Sequence, residues 1–405
     1  MEFFLKGTNS ATVIADAKKQ VKLSPEVNQI DTVELMVSMA ADIGILNMRL
    51  LEDILTLYTI TQRSGGLMYA GSSLLRDTSE REPAWYRSTS LSKQLARGFL
   101  NSGSQQLVIG IAPEGGDNNS GEQFGIELYS FLRQLSPIIL ALSASSPFLY
   151  EANNSLRDSG FESYRPGNYQ NMSAQLPFAM FDTPIISSLD DYHDNLRLAS
   201  NQVNQLLDAG QLDANLPELY RDREQGPYAP FDELAWHQVY SWIRIRPDHA
   251  NEDSVFSLEV RIADLANRVE LMQAINSFVG GLSYYASRFG FEELQNAVAS
   301  MNLQDKALNP ALLRTARNGL DTRVGTRNNG TTIRQIVPQL AALATEGLIH
   351  RNIDPTMMNE ELNRVLCYGN EATQTRQFVS EQQPTAEQLE QYLILRLLQS
   401  LQVHV

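Results

Sequence analysis

F-S-L-E-V-R-I-A-D, residues 256–264, says more about this chain's architecture than any other segment. Phe256, Leu258, Val260 and Ile262 alternate with Ser257, Glu259 and Arg261. A period of two predicts a strand with one face in a core and the other turned out. Residues 240–247 read Y-S-W-I-R-I-R-P and alternate again. Trp242, Arg244 and Arg246 fall on one face, with Ser241, Ile243 and Ile245 on the other. The polar D-H-A-N-E-D-S-V between them, 248–255, is too long for a tight turn and suits a looser hairpin. Once the strands pair, the pleat brings their polar faces to the same side. Arg244, Arg246 and Arg261 then surround the single carboxylate of Glu259. A solvated face needs only a weak pair, worth ~0–1 kcal/mol. Guanidiniums instead fit phosphate and carboxylate oxygens bidentately, so a binding surface is expected.

The composition sets the frame. The chain has 405 residues, 43% hydrophobic and 20% charged, with mean hydropathy -0.26, enough for a large core in a soluble protein. A net charge of -15 argues against a nucleic-acid partner, because phosphate backbones are held by basic faces. It also makes a local arginine cluster more informative. No secretory signal is visible in M-E-F-F-L-K-G-T, and no stretch approaches the ~20 apolar residues of a membrane span, so neither a membrane partner nor export is expected. Cys367 is the only cysteine, which rules out an intrachain disulfide, fits a cytoplasmic location and suggests an inert structural thiol. The five histidines are scattered, none at metal-ligand spacing from another.

Elsewhere, T-V-E-L-M-V-S (32–38), L-M-Y-A-G (67–71) and Q-Q-L-V-I-G-I (105–111) are read as strands. Helical spacing appears at 42–61, 122–142 (kinked at Pro137), 188–210 and 265–288, with 91–100 also read as helical. The loop P-E-G-G-D-N-N-S-G (113–121) lacks phosphate-loop spacing and its lysine. Residues 150–186 are loop-rich, as functional segments often are. The remainder reads as helices near 291–301, 310–318, 332–346, 357–366 and 384–402. The fold class is therefore α+β, a single domain over 1–405 with an antiparallel sheet and a helical C-terminal part, 290–405.

Several segments, in order, resemble the glutamate–cysteine ligase type 2 family of ATP-dependent carboxylate-amine ligases. They are T-V-E-L (32–35), L-S-A-S-S-P-F (142–148), E-S-Y-R (162–165), I-R-I-R-P (243–247) with L-E-V-R-I-A-D (258–264), and A-R-N-G-L-D (316–321) with T-I-R (332–334). The resemblance implies a glutamine synthetase-like fold, with a curved antiparallel sheet and flanking helices. It implies ATP and Mg²⁺ or Mn²⁺ as cofactors, and small-molecule substrates, an amino-acid carboxylate and an amine, joined through an acyl phosphate. By the family pattern Glu259, Glu34 and Glu2 would hold metal. Arg261 would face the phosphoryl group, Arg165 and Arg246 would serve catalysis, and Arg244 and Arg317 would bind the nucleotide. A homo-oligomer is compatible with the long helices.

The chain also departs from that pattern. The family's opening G-x-E-x-E strand appears as M-E-F-F-L, where only Glu2 matches. H-V-H-V-G appears as Q-L-V-I-G (106–110), and G-T-H-P as G-S-S-L (71–74). Gln106 is a poor Mg²⁺ ligand and Val108 is none. Such losses imply altered metal use, a different substrate, or a catalytically degenerate protein that binds a nucleotide, an amino acid or a partner.

Overall fold

The computed structural model describes residues 1–8, 10–17, 20–25, 32–38, 40–70, 104–112, 118–150, 154–164, 183–210, 242–246, 256–301, 308–324 and 330–402. The expected helix at 91–100 and the 248–255 connection lie outside them.

The N-terminal part forms a four-stranded sheet. Its strands are β1 (Glu2–Lys6), β2 (Leu23–Pro25), β3 (Thr32–Leu35) and β4 (Leu67–Tyr69), in the order β2-β3-β1-β4 with every pair antiparallel. Phe3 and Leu5 alternate into the core. Helix α1 (Ser10–Ala17) lies against this sheet, and α2 (Ile43–Arg63) follows β3. The Asp42 carboxylate starts α2 by accepting the Ile45 N–H at 2.9 Å. Leu50, Ile54 and Leu57, spaced for one helical face, are fully buried.

Three further strands build a second sheet. β5 (Leu107–Ile111) is followed by α3 (Asn118–Ser143), a hairpin of β6 (Phe148–Tyr150) and β7 (Leu156–Asp158), and α4 (Leu189–Asp208). Then come β8 (Ile243–Arg246) and β9 (Phe256–Val260), giving the sheet order β5-β9-β8. Helix α3 runs through Pro137 and packs beneath this sheet.

The core centres on α5 (Val269–Phe289), which is buried around most of its circumference. The succeeding helices are α6 (Glu292–Val298), α7 (Leu308–Asn318), α8 (Ile333–His350), α9 (Thr356–Tyr368), α10 (Glu371–Gln382) and α11 (Ala386–Gln402). Helices α5 and α8 meet backbone to backbone. A Cβ on Gly347 would lie 2.0 Å from the Gly281 carbonyl oxygen, and one on Gly281 would lie 2.5 Å from that of Ala344. Only glycine permits that approach.

The α+β class and the C-terminal helices stand. In place of one curved sheet, the described residues show two main sheets and two small antiparallel pairs, β6–β7 and the two-residue pair Arg323–Val324 with Thr331–Thr332. That last pair interrupts the expected all-helical tail. Part of the loop-rich 150–186 segment is strand β7, the partner of β6, and α10 replaces what reads as connection in the sequence. Asn370 caps α10 by accepting the Thr373 N–H. Cys367 is exposed. Among the described residues no helix is long and apolar enough to cross a membrane.

Candidate functional site

The register of β5-β9-β8 lays out rows of side chains. Val108, Glu259 and Arg244 are direct neighbours across the three strands, and Gly110, Ser257 and Arg246 form the row beside them. The intervening rows, including Leu107–Val260–Ile243 and Ile109–Leu258–Ile245, turn to the opposite face, where α3 packs. Beyond the end of β9, the Arg261 N–H donates to the Trp242 carbonyl at 2.9 Å and extends the pairing. The expected antiparallel pairing and its gathered polar face are therefore present.

The electrostatics follow from burial. Arg244 Nε lies 2.9 Å from Glu259 Oε2, Arg261 Nε lies 3.8 Å from Oε1, and Arg246 Nη1 lies 3.9 Å from Oε2. Glu259 is 2% exposed and Arg244 8%, so the face is not solvated as a decorative ion pair would be. The Arg246 and Arg261 side chains keep 24% and 18% of their exposure, enough for a ligand to reach them. Burial works against the Glu259 charge, but Arg261, Arg244 and Arg246 overcome it and hold the carboxyl below its usual range. The partners respond unequally. Burial, then Arg261, push Arg244 down against the pull of Glu259. A guanidinium starts so far above neutrality that it remains a cation, and we take the pair as fully ionised at pH 7.

Tyr192 of α4 secures the outer edge of this sheet. Its hydroxyl accepts the Ile245 N–H at 3.2 Å, covering an edge group of β8 that would otherwise be buried without a partner. Burial pushes its pKa up to about 12, so it stays protonated. Nothing in the sequence around Tyr192 signals this contact.

The segments that carried the resemblance are also joined physically. The Asp264 N–H donates to Ser143 Oγ at 3.0 Å, and its carboxylate accepts the Ser145 N–H at 3.3 Å. The Ser146 N–H reaches the Glu162 carbonyl at 3.1 Å, and the Glu162 N–H reaches that of Ala316 at 2.6 Å. L-E-V-R-I-A-D, the serine-rich turn, E-S-Y-R and A-R-N-G-L-D thus form one hydrogen-bonded chain. Asn370 fastens it to α10, donating to Glu162 Oε2 at 2.6 Å and to the Ala141 carbonyl at 2.9 Å. Burial raises the pKa of Glu162 despite the opposing pull of Asn370, Arg376 and Thr373.

The expected site residues divide into groups. Arg244, Arg246, Glu259 and Arg261 come together. Arg165 lies outside the described residues, although Tyr164 before it belongs to the joined segments. Arg317 is exposed on the last turn of α7, its guanidinium carbon 5.2 Å from the Phe161 ring centroid. Glu2 and Glu34 are direct partners between β1 and β3, on the other main sheet. Among the described residues no group of three His, Cys, Asp or Glu could hold a metal ion. Tyr192 and Asn370 are structural participants that the sequence did not single out, and Glu162 figures in it only as the first residue of E-S-Y-R.

A sequence model of the glutamate-cysteine ligase family 2 matches residues 84–392. Among solved structures, the chain is similar to the glutamate–cysteine ligase of Francisella tularensis in complex with AMP. The TM-score is 0.62 at 9% identity, covering 99% of this chain and 87% of that one. It also aligns with the complex of the ubiquitin-like protein Pup and its ligase PafA, with a TM-score of 0.44 at 10% identity, covering 96% of this chain and 70% of that one. The first likeness bears on fold. No curated protein matches the chain.

Proposed function

The chain belongs to the glutamate-cysteine ligase family 2, and from that premise we propose that it is an ATP-dependent carboxylate-amine ligase acting on small molecules. The single observation that carries this reading is the arginine face of β5-β9-β8, with three guanidiniums within 4 Å of Glu259 and two of those side chains partly exposed. ATP as substrate would supply a phosphoryl group to a carboxylate oxygen. The resulting acyl phosphate would accept the amine, and inorganic phosphate would leave. Arg261 and Arg246, fixed before the ligand arrives, would stabilise negative charge developing on the transferring group. Arg244, deeper in the sheet, would add to the positive potential. Arg165 would grip substrate, and Arg317 would serve the nucleotide. Glutamate as the acyl substrate is the family's default.

A divalent ion does not fit Glu259 as it stands, since its oxygens already face guanidiniums. At an effective dielectric of ~20, a divalent ion ~4 Å from a guanidinium is repelled by roughly 8 kcal/mol, a cost that a metal on this carboxylate would have to offset. By the family pattern Glu2 and Glu34, paired in the β1–β3 register of the other main sheet, would be the metal carboxylates. Mg²⁺ held there would neutralise phosphate charge when bound.

One observation favours a second reading, a non-catalytic relative that binds a nucleotide, an amino acid or a partner. Gln106 and Val108 stand where the family pattern has histidines, and Val108 is the direct neighbour of Glu259. The test is calorimetry of ATP with and without Mg²⁺, followed by ADP release and mass spectrometry of the amide with glutamate and a panel of amines. ATP-dependent amide formation supports the ligase. Nucleotide binding without ADP release from any pair would favour the second reading.

A further inference from the structure

Both oxygens of Glu259 face guanidiniums, Oε2 at 2.9 Å from Arg244 and Oε1 at 3.8 Å from Arg261. Its cross-strand neighbours are an aliphatic side chain on one side, Val108, and a cation on the other, Arg244. Neither can share a divalent metal with it. We propose that Glu259 is a positioning residue and not a metal ligand: it holds Arg244 and Arg261 in place, so that this face receives anionic oxygens directly, with no cation on Glu259. This rests on the ligase reading only for the class of ligand, phosphoryl or carboxylate oxygens.

Three features support the arrangement. Arg244 and Glu259 are both buried, so their pairing is shielded from the screening that weakens surface pairs. The strand bearing Arg244 is held on one side by its ladder with β9 and on the other by the Tyr192 hydroxyl at Ile245. Arg244 therefore cannot leave Glu259 by a shift of the strand alone. Val108, the direct cross-strand neighbour of Glu259, brings no metal-binding atom to the row.

The experiment counts metals independently of turnover. Mn²⁺ is titrated by electron paramagnetic resonance into the full chain, its Glu259→Gln variant and its Val108→His variant. The expected result is an unchanged number of Mn²⁺ sites in Glu259→Gln, with affinity within about twofold of the parent, and no site gained in Val108→His. Loss of one Mn²⁺ or a weakening of about tenfold or more in Glu259→Gln overturns the proposal. So does a tighter or additional site in Val108→His, which keeps the test intact should Glu259→Gln fold poorly. A second arm measures inorganic pyrophosphate and L-glutamate by calorimetry in EDTA, pyrophosphate reporting a phosphoryl subsite and glutamate a carboxylate one. At least one should bind the parent chain, and Arg244→Gln should weaken it about tenfold or more. Binding of neither without metal overturns the direct-anion role. An unchanged Mn²⁺ count with metal-free anion binding, but no ADP release from any substrate pair, supports the proposal and removes the ligase reading alone.

Discussion

Gly319→Ala tests whether the joined segments form one mechanical unit. Gly319 has φ +50, and a Cβ there would lie 1.7 Å from Glu162 Oε2 and 2.6 Å from its Cδ. A non-glycine residue in the left-handed region costs ~1–2 kcal/mol. The clash also forces the Glu162 carboxylate off Asn370, now 2.6 Å away, and a hydrogen bond to a charged group contributes ~1.5–3 kcal/mol. The expected destabilisation is about 2.5–5 kcal/mol. Urea unfolding at constant m-value reads it directly. Repeating the substitution in a Glu162→Ala background separates the two contributions. Without the carboxylate the severe clash is gone, leaving a 3.0 Å approach to Asn370 Nδ2 that its side chain can relieve, and the cost should fall towards the backbone cost of ~1–2 kcal/mol. A cost that is the same in both backgrounds to within ~0.5 kcal/mol would refute the steric argument.

Three further outcomes follow from the arginine face. Tyr192→Phe removes the acceptor of the buried Ile245 N–H and should lower stability by ~1–3 kcal/mol in urea, where a neutral result would mean the edge is covered otherwise. Because the Glu259 pKa is held below its usual range, its contribution is full above the ordinary glutamate pKa and is lost as pH falls through the depressed folded value. The stability gap between the parent and Glu259→Gln should accordingly shrink as pH drops from about 5 towards 3, and a gap that widens on acidification contradicts the assignment. With any substrate pair that turns over, Arg261→Lys keeps the charge but loses the planar fork. It should raise the barrier in kcat by ~2–4 kcal/mol, and a change confined to KM would mean uniform binding instead.

Much of this architecture was legible in the residues because it depends on short-range periodicity. Alternation at 243–246 and 256–260 specified two strands. The parity of the pleat alone put Arg244, Arg246, Glu259 and Arg261 on one side. Helical spacing located α2, α3, α4, α5 and most of the C-terminal helices within a few residues. Periodicity is silent about long-range partners. Nothing local sets Val108 beside Glu259, Tyr192 at the edge of β8, or Glu162 between Gly319 and Asn370, since each contact joins segments far apart in the chain. Burial was hidden for the same reason. A Glu among arginines reads alike on a solvated face and in a dry one, and only the covering of Ser257 and Glu259 as well as their apolar neighbours distinguishes them. That covering turns a weak surface pair into a shielded one. The residue types were therefore readable from composition and spacing, whereas the charge environment that gives them a role arises from packing.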